Sequence, residues 1–260
     1  MTSLWMYERT REEISEFARA GGAAVVPLAA TEQHGPHLPV YTDTIICEHI
    51  AREAGERAAE QVPLLIAPVL PIGCSQHHLA FGGTLSFASE TYLRMLRDLG
   101  ESLVADGFRR IIFLNGHGGN DPIMHQTASD LAVRHPIWTA SASYWSVAGE
   151  ALRSIGASRV GMVPGHAGGF ETAAMLALRP ELVRRDRIPA EHVHRPWINS
   201  GPPGAFIGRH LELTGVDGYT DAASQATPEL GELYLETIVS SVAAWLVRTL
   251  QAMEEGERSR

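Results

Sequence analysis

A chain of 260 residues, 45% of them hydrophobic and 20% charged, has the length and composition of a globular protein with a substantial core, which excludes disordered and fibrous classes. Its formal charge of -9 argues against a nucleic-acid or anionic-membrane surface, which needs clustered Lys and Arg, and leaves a small-molecule substrate as the expectation. Two cysteines, Cys47 and Cys74, make no disulfide framework, the opening Met1-Thr2-Ser3-Leu4-Trp5 shows no basic-then-apolar signal, and no apolar run approaches a membrane span; a cytoplasmic, reduced protein is expected.

Helical patterns alternate with short apolar runs, as in parallel βαβ construction. Thr10 is placed to cap a helix carrying Ile14, Phe17 and Ala18, ended by Gly21-Gly22. Residues 23–29 read as a buried strand and 44–60 as a helix with Ile45, Ile46, Ile50 and Ala54 on one face. Residues 64–70 read as a second strand, which Pro68 makes an edge or an exit. Ser89 is expected to cap an amphipathic helix with Tyr92, Leu93, Leu96, Leu99 and Leu103 inward, closed by Gly107. Residues 110–114 form a third predicted strand, Asn120-Asp121-Pro122 opens another helix, and 137–142 is the fourth strand. Residues 143–168 lack a firm period, 170–178 read as helix, and 189–218, rich in Pro, Gly and His, as loop. Thr227-Pro228 caps a long last helix through Leu235, Ile238, Val242, Trp245 and Leu246, followed by a tail expected to fray. Neither a repeat nor a linker divides the chain, so one domain over residues 1–260 is expected.

Three polar stretches interrupt this pattern: Thr31 to Asp43, Asn115 to Asn120, and Gly165 to Thr172. Each of the first two follows a predicted strand, as does the Ser75-x-x-His78 stretch, and ligands of parallel sheets bind beyond such strand ends. Glu32, His34, Asp43, His117 and Glu171 together offer the His and carboxylate set of a catalytic metal pair. Glu32 and His34 project to one side of an extended segment, and Asp43 facing back over a Pro36/Pro39 turn could touch two ions. Each residue also has a plainer reading. Glu32-x-His34 could be a surface pair, Asp43 the N-cap of the next helix, His117 a satisfied polar residue at a strand end, Asn115 and Asn120 turn formers, and Glu171 a first-turn acid. The glycine-rich loop around His117 could cradle a phosphate, although no P-loop Lys follows. His78 is the better placed of two adjacent histidines to face the crevice, with His77 a bystander. Trp145 could close over substrate or belong to the core. Cys74 with His78 would suit a thiol hydrolase, but no third, orienting group is supplied; a non-catalytic metal-binding protein is a further class, against which the carboxylate-rich set speaks.

Taken together, Glu32-Gln33-His34-Gly35-Pro36-His37-Leu38-Pro39 with Asp43, Gly73-Cys74-Ser75-x-x-His78 with Gly83-Thr84, Asn115-Gly116-His117-Gly118-Gly119-Asn120, and His166-Ala167-Gly168-x-x-Glu171-Thr172 resemble the creatininase (creatinine amidohydrolase) family. The resemblance implies a single-domain, three-layer α/β sandwich with a mainly parallel, Rossmann-like sheet, and a homo-oligomer, often a hexamer. It implies two divalent ions (Zn, Mn or Fe) bridged by a carboxylate and a hydroxide that hydrolyses a C–N bond of a small cyclic amide, formamide or related compound. Ring-opening of a cyclic ketone and cleavage of a short peptide are the alternatives. By the same resemblance Glu32, Asp43 and His117 hold one ion and His34 and Asp43 the other. On these roles His166 is expected to move a proton, and His78, Trp145, Gly118 and Gly119 are the candidate substrate contacts. Creatininase itself has a Glu two residues past the loop histidine, where this chain has Gly119. Glu171 is expected to replace it as a ligand and so to act in catalysis, in which case a Glu placed at Gly119 should substitute for Glu171.

Overall fold

The computed structural model describes residues 3–191, 207 and 217–259. Four parallel strands, β1 (Ala23–Leu28), β2 (Leu64–Ile66), β3 (Arg110–Asn115) and β4 (Trp138–Ser143), lie in the order β2-β1-β3-β4. Val25 sits opposite Ile66 on one side and Ile112 on the other. Side chains alternate between two cores, so an unbroken apolar strand is buried on both faces. Ala23, Val25, Ile112 and Leu114 enter one core, while Ala24, Val26, Ile111 and Phe113 enter the other.

Eight α-helices cover the two faces: α1 (Arg11–Arg19), α2 (Thr42–Ala59), α3 (Ser89–Asp106), α4 (Asp121–Arg134), α5 (Tyr144–Val147), α6 (Gly149–Ser154), α7 (Gly169–Leu178) and α8 (Pro228–Arg258), counted among the described residues. Ala18, Tyr92, Leu96 and Leu131 from α1, α3 and α4 fill one core; Ile50, Leu152, Phe170, Tyr234 and Val242 from α2, α6, α7 and α8 fill the other. The result is the expected α/β sandwich of helices, parallel sheet and helices.

Most predicted elements fall where the pattern places them, and the exceptions have local causes. Thr10 caps α1 in a full capping box with Glu13. Ser89 does not cap α3; it is the first helical residue, behind Ala88, and makes no capping bond. The second strand ends at Ile66, because Pro68 and Pro71 supply no ladder donors, and Leu70 rejoins β1 only through an isolated bridge to Leu28. Rather than fraying, the last helix runs to Arg258, held by the Glu254–Arg258 pair and by Arg110 to Glu257 at 2.5 Å. By length and composition α8 could cross a bilayer, contrary to the expectation that no run approaches a span. Half of its apolar window is buried, however, and it packs on α2 and α7 as a core helix. Most of the predicted loop 189–218 lies outside the described residues.

Strand order fixes where a ligand can sit. Connections leave β1 for β2 on one side and return to β3 on the other, so the crevice beyond the carboxyl ends of β1 and β3 is the switch point of the sheet. The Glu32 and His117 stretches follow those two strands.

Candidate active site

After β1 the chain doubles back on itself. Gly35 takes the left-handed conformation at φ 62°, the Glu32 amide donates to the Val40 carbonyl at 2.8 Å, and the Leu38 amide to the His34 carbonyl at 3.3 Å. Thr42 Oγ1 donates to the Pro39 carbonyl (2.7 Å), starting α2 at Thr42 behind an N-cap of Tyr41. Asp43 therefore occupies the first turn and not the cap, and it faces back over the turn. Its Oδ1 lies 3.1 Å from His34 Nε2 and its Oδ2 3.1 Å from His117 Nδ1. One carboxylate thus addresses two histidines, one oxygen to each.

The outer nitrogens of both histidines are fixed by backbone. His34 Nδ1 donates to the Glu32 carbonyl at 3.0 Å, which turns Nε2 inward. His117 Nε2 lies 3.2 Å from the Cys74 carbonyl and 3.2 Å from Ser75 Oγ, which turns Nδ1 inward. Such outer hydrogen bonds set the tautomer of metal-binding histidines. The loop that carries His117 is held in turn by Asn115, which accepts from the His117 amide, and by Asn120, which accepts from the Cys74 amide and donates to the Ala29 carbonyl.

Glu171 enters from the first turn of α7, where Oε2 accepts from the Ala167 amide at 2.6 Å and lies 3.6 Å from His34 Nε2. Ala167 is the one non-glycine residue with positive φ (48°) among the described residues, a strained conformation beside His166. Glu32 Oε1 has three imidazole nitrogens around it: His117 Nδ1 at 3.2 Å, His78 Nε2 at 3.3 Å and His166 Nδ1 at 3.5 Å. All five predicted ligands are at most 4% exposed, so the structure brings together the full set proposed from the sequence.

Burying three carboxylates with these histidines reshapes their protonation. Burial alone would raise the Glu32 carboxyl, but the charges of His117 and His78 hold it well below the usual range. His34 runs against its burial and is pushed up to about 10 by Asp43 and Glu171, and His117 is raised by Glu32 and Asp43. Glu171 is pushed up to about 8, chiefly by burial, with His34 opposing. Without a cation, protons gather here to balance the carboxylates. Even so, both Glu32 oxygens and Asp43 Oδ2 are buried without a well-formed hydrogen bond, a costly state that a bound cation would relieve. His34, Asp43 and Glu171 converge as one possible ligand group, and Glu32, His77 and His117 as another. The donor set of imidazole and carboxylate, with no thiolate, suits a divalent ion in an open site.

His166 behaves differently from the other two. Burial, then the charges of His34 and His78, hold it well below the usual range, so its ring is neutral. It lies 2.8 Å from the Gln33 carbonyl through Nε2, leaving the Nδ1 lone pair toward Glu32. Gln33, which the sequence offered only as a spacer, joins these parts: its Nε2 reaches His78 Nδ1 at 2.7 Å and the Gly218 carbonyl at 3.0 Å. Both nitrogens of His78 are therefore engaged, by Gln33 and Glu32, and its ring also lines the cavity. Its neighbour His77, expected to be a bystander, lines the cavity, and burial holds its ring down to about 4.

The cavity has a volume of about 550 Å³ and reaches Glu32, Asp43, His117, His166 and Glu171, with Trp145, Gly118 and Gly119 along its wall. Trp145 is packed edge-on against Tyr144 at 5.0 Å. Gly118 faces open space, whereas a Cβ at Gly119 would stand 2.1 Å from the Cys74 carbonyl and 2.7 Å from His117 Nε2. This overturns the expectation that a Glu at Gly119 could stand in for Glu171. The Cys74 carbonyl that orients His117 occupies that space. Cys74 itself is a poor nucleophile, since burial pushes its thiol up.

A model of the creatininase family, described as creatinine amidohydrolase, matches residues 7–246. The chain belongs to the creatininase family. It is 35% identical over 249 residues to a mycofactocin precursor peptide peptidase from Mycobacterium tuberculosis, covering 89% of each chain. Against the creatinine amidohydrolase of Pseudomonas putida the identity is 28% over 257 residues, covering 93% of this chain and 95% of that one. A creatininase crystal structure superposes with a TM-score of 0.80 at 28% identity, covering 96% of this chain and 99% of the other. A manganese form of creatininase and a zinc form of a creatininase mutant align comparably, at TM-scores of 0.75 and 0.78, identities of 28% and 27%, and coverage of 95% and 96% of this chain and 99% of each of theirs. As a creatininase-family chain this is a hydrolase, a metal-dependent amidohydrolase.

Proposed function

We propose that the chain is a two-metal amidohydrolase opening the C–N bond of a small neutral amide, a cyclic amide or formamide. The observation that carries this is Asp43, whose two oxygens face His34 and His117 separately, with Glu171 beside the first and Glu32 beside the second. Glu32, Asp43 and His117 would hold one divalent ion, and His34, Asp43 and Glu171 the other. Zinc and manganese both suit these donors. When bound, such a pair lowers the pKa of water toward ~7 and polarises a carbonyl.

The remaining work falls to the chain itself. Neutral His166 would take at Nδ1 the proton given up by the attacking water and hand it to the nitrogen as the C–N bond breaks, while the Gln33 carbonyl keeps the opposite nitrogen protonated and the ring aligned. Trp145 supplies an apolar wall, and open Gly118 lets a substrate approach the backbone. Among the described residues the cavity is lined by no Lys or Arg, which favours a neutral substrate over one held by a carboxylate. A short-peptide substrate is the second reading, supported by the 35% identity to the mycofactocin precursor peptide peptidase. A panel of lactams, formamides, cyclic ketones and short peptides, run before and after chelation with EDTA and after readdition of Zn²⁺ or Mn²⁺, tests both. Amide hydrolysis lost on chelation and restored by metal is the expected result. Activity that survives chelation but dies with iodoacetamide would refute it.

A further inference from the structure

Of the five histidines His34, His77, His78, His117 and His166 at the site, four have a ring nitrogen anchored by a hydrogen bond: His34 to Glu32, His117 to Cys74, and His78 and His166 to Gln33. His77 is the exception. Among the described residues neither of its ring nitrogens makes a hydrogen bond, although the ring is half-buried and lines the cavity. It stands on the 3-10 segment Gln76–Phe81 that follows β2, with its ring nearly parallel to that of His117 (11°) at 5.9 Å between centroids. One nitrogen of His77, one of His117 and one carboxylate oxygen of Glu32 all lie within 4.8 Å of one another. Two ligands on opposite sides of a zinc ion stand at most about 4.2 Å apart, so closing this triangle takes a side-chain shift of under ~1 Å. The Glu32 oxygens it would share are buried and accept no well-formed hydrogen bond.

We propose that His77 is a fourth protein ligand, joining Glu32, Asp43 and His117 around one of the two ions. The proposal rests on the two-ion reading above and adds to it an asymmetry. One ion has two imidazoles and the other one, and the extra imidazole is the ligand without an outer hydrogen bond to hold it. His77 is therefore the ligand that orders as the ion arrives, and the ion it holds is the one whose affinity most depends on a nitrogen donor.

The test strips the full-length protein of metal and titrates it with Co²⁺, following the visible absorption and competing with a chelator. His77→Ala removes the ligand; His77→Phe removes it while keeping a ring of similar size against His117 and His78. Loss of an outer-shell partner costs about 10- to 100-fold in metal affinity, so loss of a direct ligand should weaken one of two Co²⁺ ions by at least ~100-fold. Both variants should show this loss with altered absorption of that ion, the second ion remaining unchanged. Two ions bound by His77→Phe with wild-type affinity and spectrum would overturn the assignment, and a rise in KM alone would make His77 a substrate contact. Uptake of a single Co²⁺ by the wild type would instead refute the two-ion reading. His77 would then stand or fall on whether that ion weakens in the variants.

Discussion

Glu171 and Gly119 each have a distinct physical consequence for the proposed site. A first-turn acid acting only on the helix dipole is worth under ~1 kcal/mol, and replacing it leaves function intact. Glu171 is buried and faces His34, so Glu171→Gln is expected to lose one ion and most of the activity, measured by elemental analysis and turnover. Two retained ions with normal turnover would return Glu171 to the dipole reading. Adding Gly119→Glu should not restore the ion; it should worsen binding by expelling the Cys74 carbonyl from His117. His166 makes a separate prediction. His166→Ala should keep both ions and slow the reaction by about 10² to 10⁴, the usual worth of a proton-transfer group. Loss of metal in that variant would make His166 a ligand.

At the scale of elements, α7 brings Glu171 into the site and α8 holds α7 in place. The two helices approach so closely at Gly231 that a Cβ there would stand 2.0 Å from the Ala173 carbonyl. Gly231→Val should push α8 away and cost at least the ~1–3 kcal/mol of ordinary overpacking, with a weaker affinity for the ion that Glu171 holds. Denaturant unfolding at unchanged midpoint would show that the helices do not depend on this contact. The elements themselves were legible because apolar spacing distinguishes buried strands such as Ala23–Leu28 from one-faced helices such as α3. Their ends were less so. Thr42 and Pro39 start α2 two residues before the predicted start at 44, and Ser89, a favoured cap residue, stands one position inside the helix. Glu32, His34, Asp43 and His117 could be read from residue type and from stretches that follow predicted strands, whereas Glu171 follows none and was legible only from residue type and the family resemblance. What remained hidden were contacts between distant loops: the Cys74 carbonyl against Gly119, the hydrogen bonds of Gln33, and which of His77 and His78 is anchored. Facing within a 3-10 segment follows no apolar period that a sequence displays.

For the whole molecule, strand order gathers residues from four separate loops at one switch point, and the buried charge collected there must be balanced. In the metal-free protein, protons on His34, raised to about 10, on His117, and on Glu171, raised to about 8, provide that balance at neutral pH. Incoming ions must displace them, so metal uptake should release protons and apparent affinity should rise as pH rises through the neutral range. Isothermal titration in two buffers of different ionisation enthalpy would detect the release; pH-independent uptake would contradict it. The central claim is that one carboxylate, Asp43, serves both ions. Metal content per chain after gel filtration tests it most directly. Wild-type protein should retain two equivalents and Asp43→Ala neither, whereas two equivalents on Asp43→Ala would mean that Asp43 is only a residue of the first helical turn.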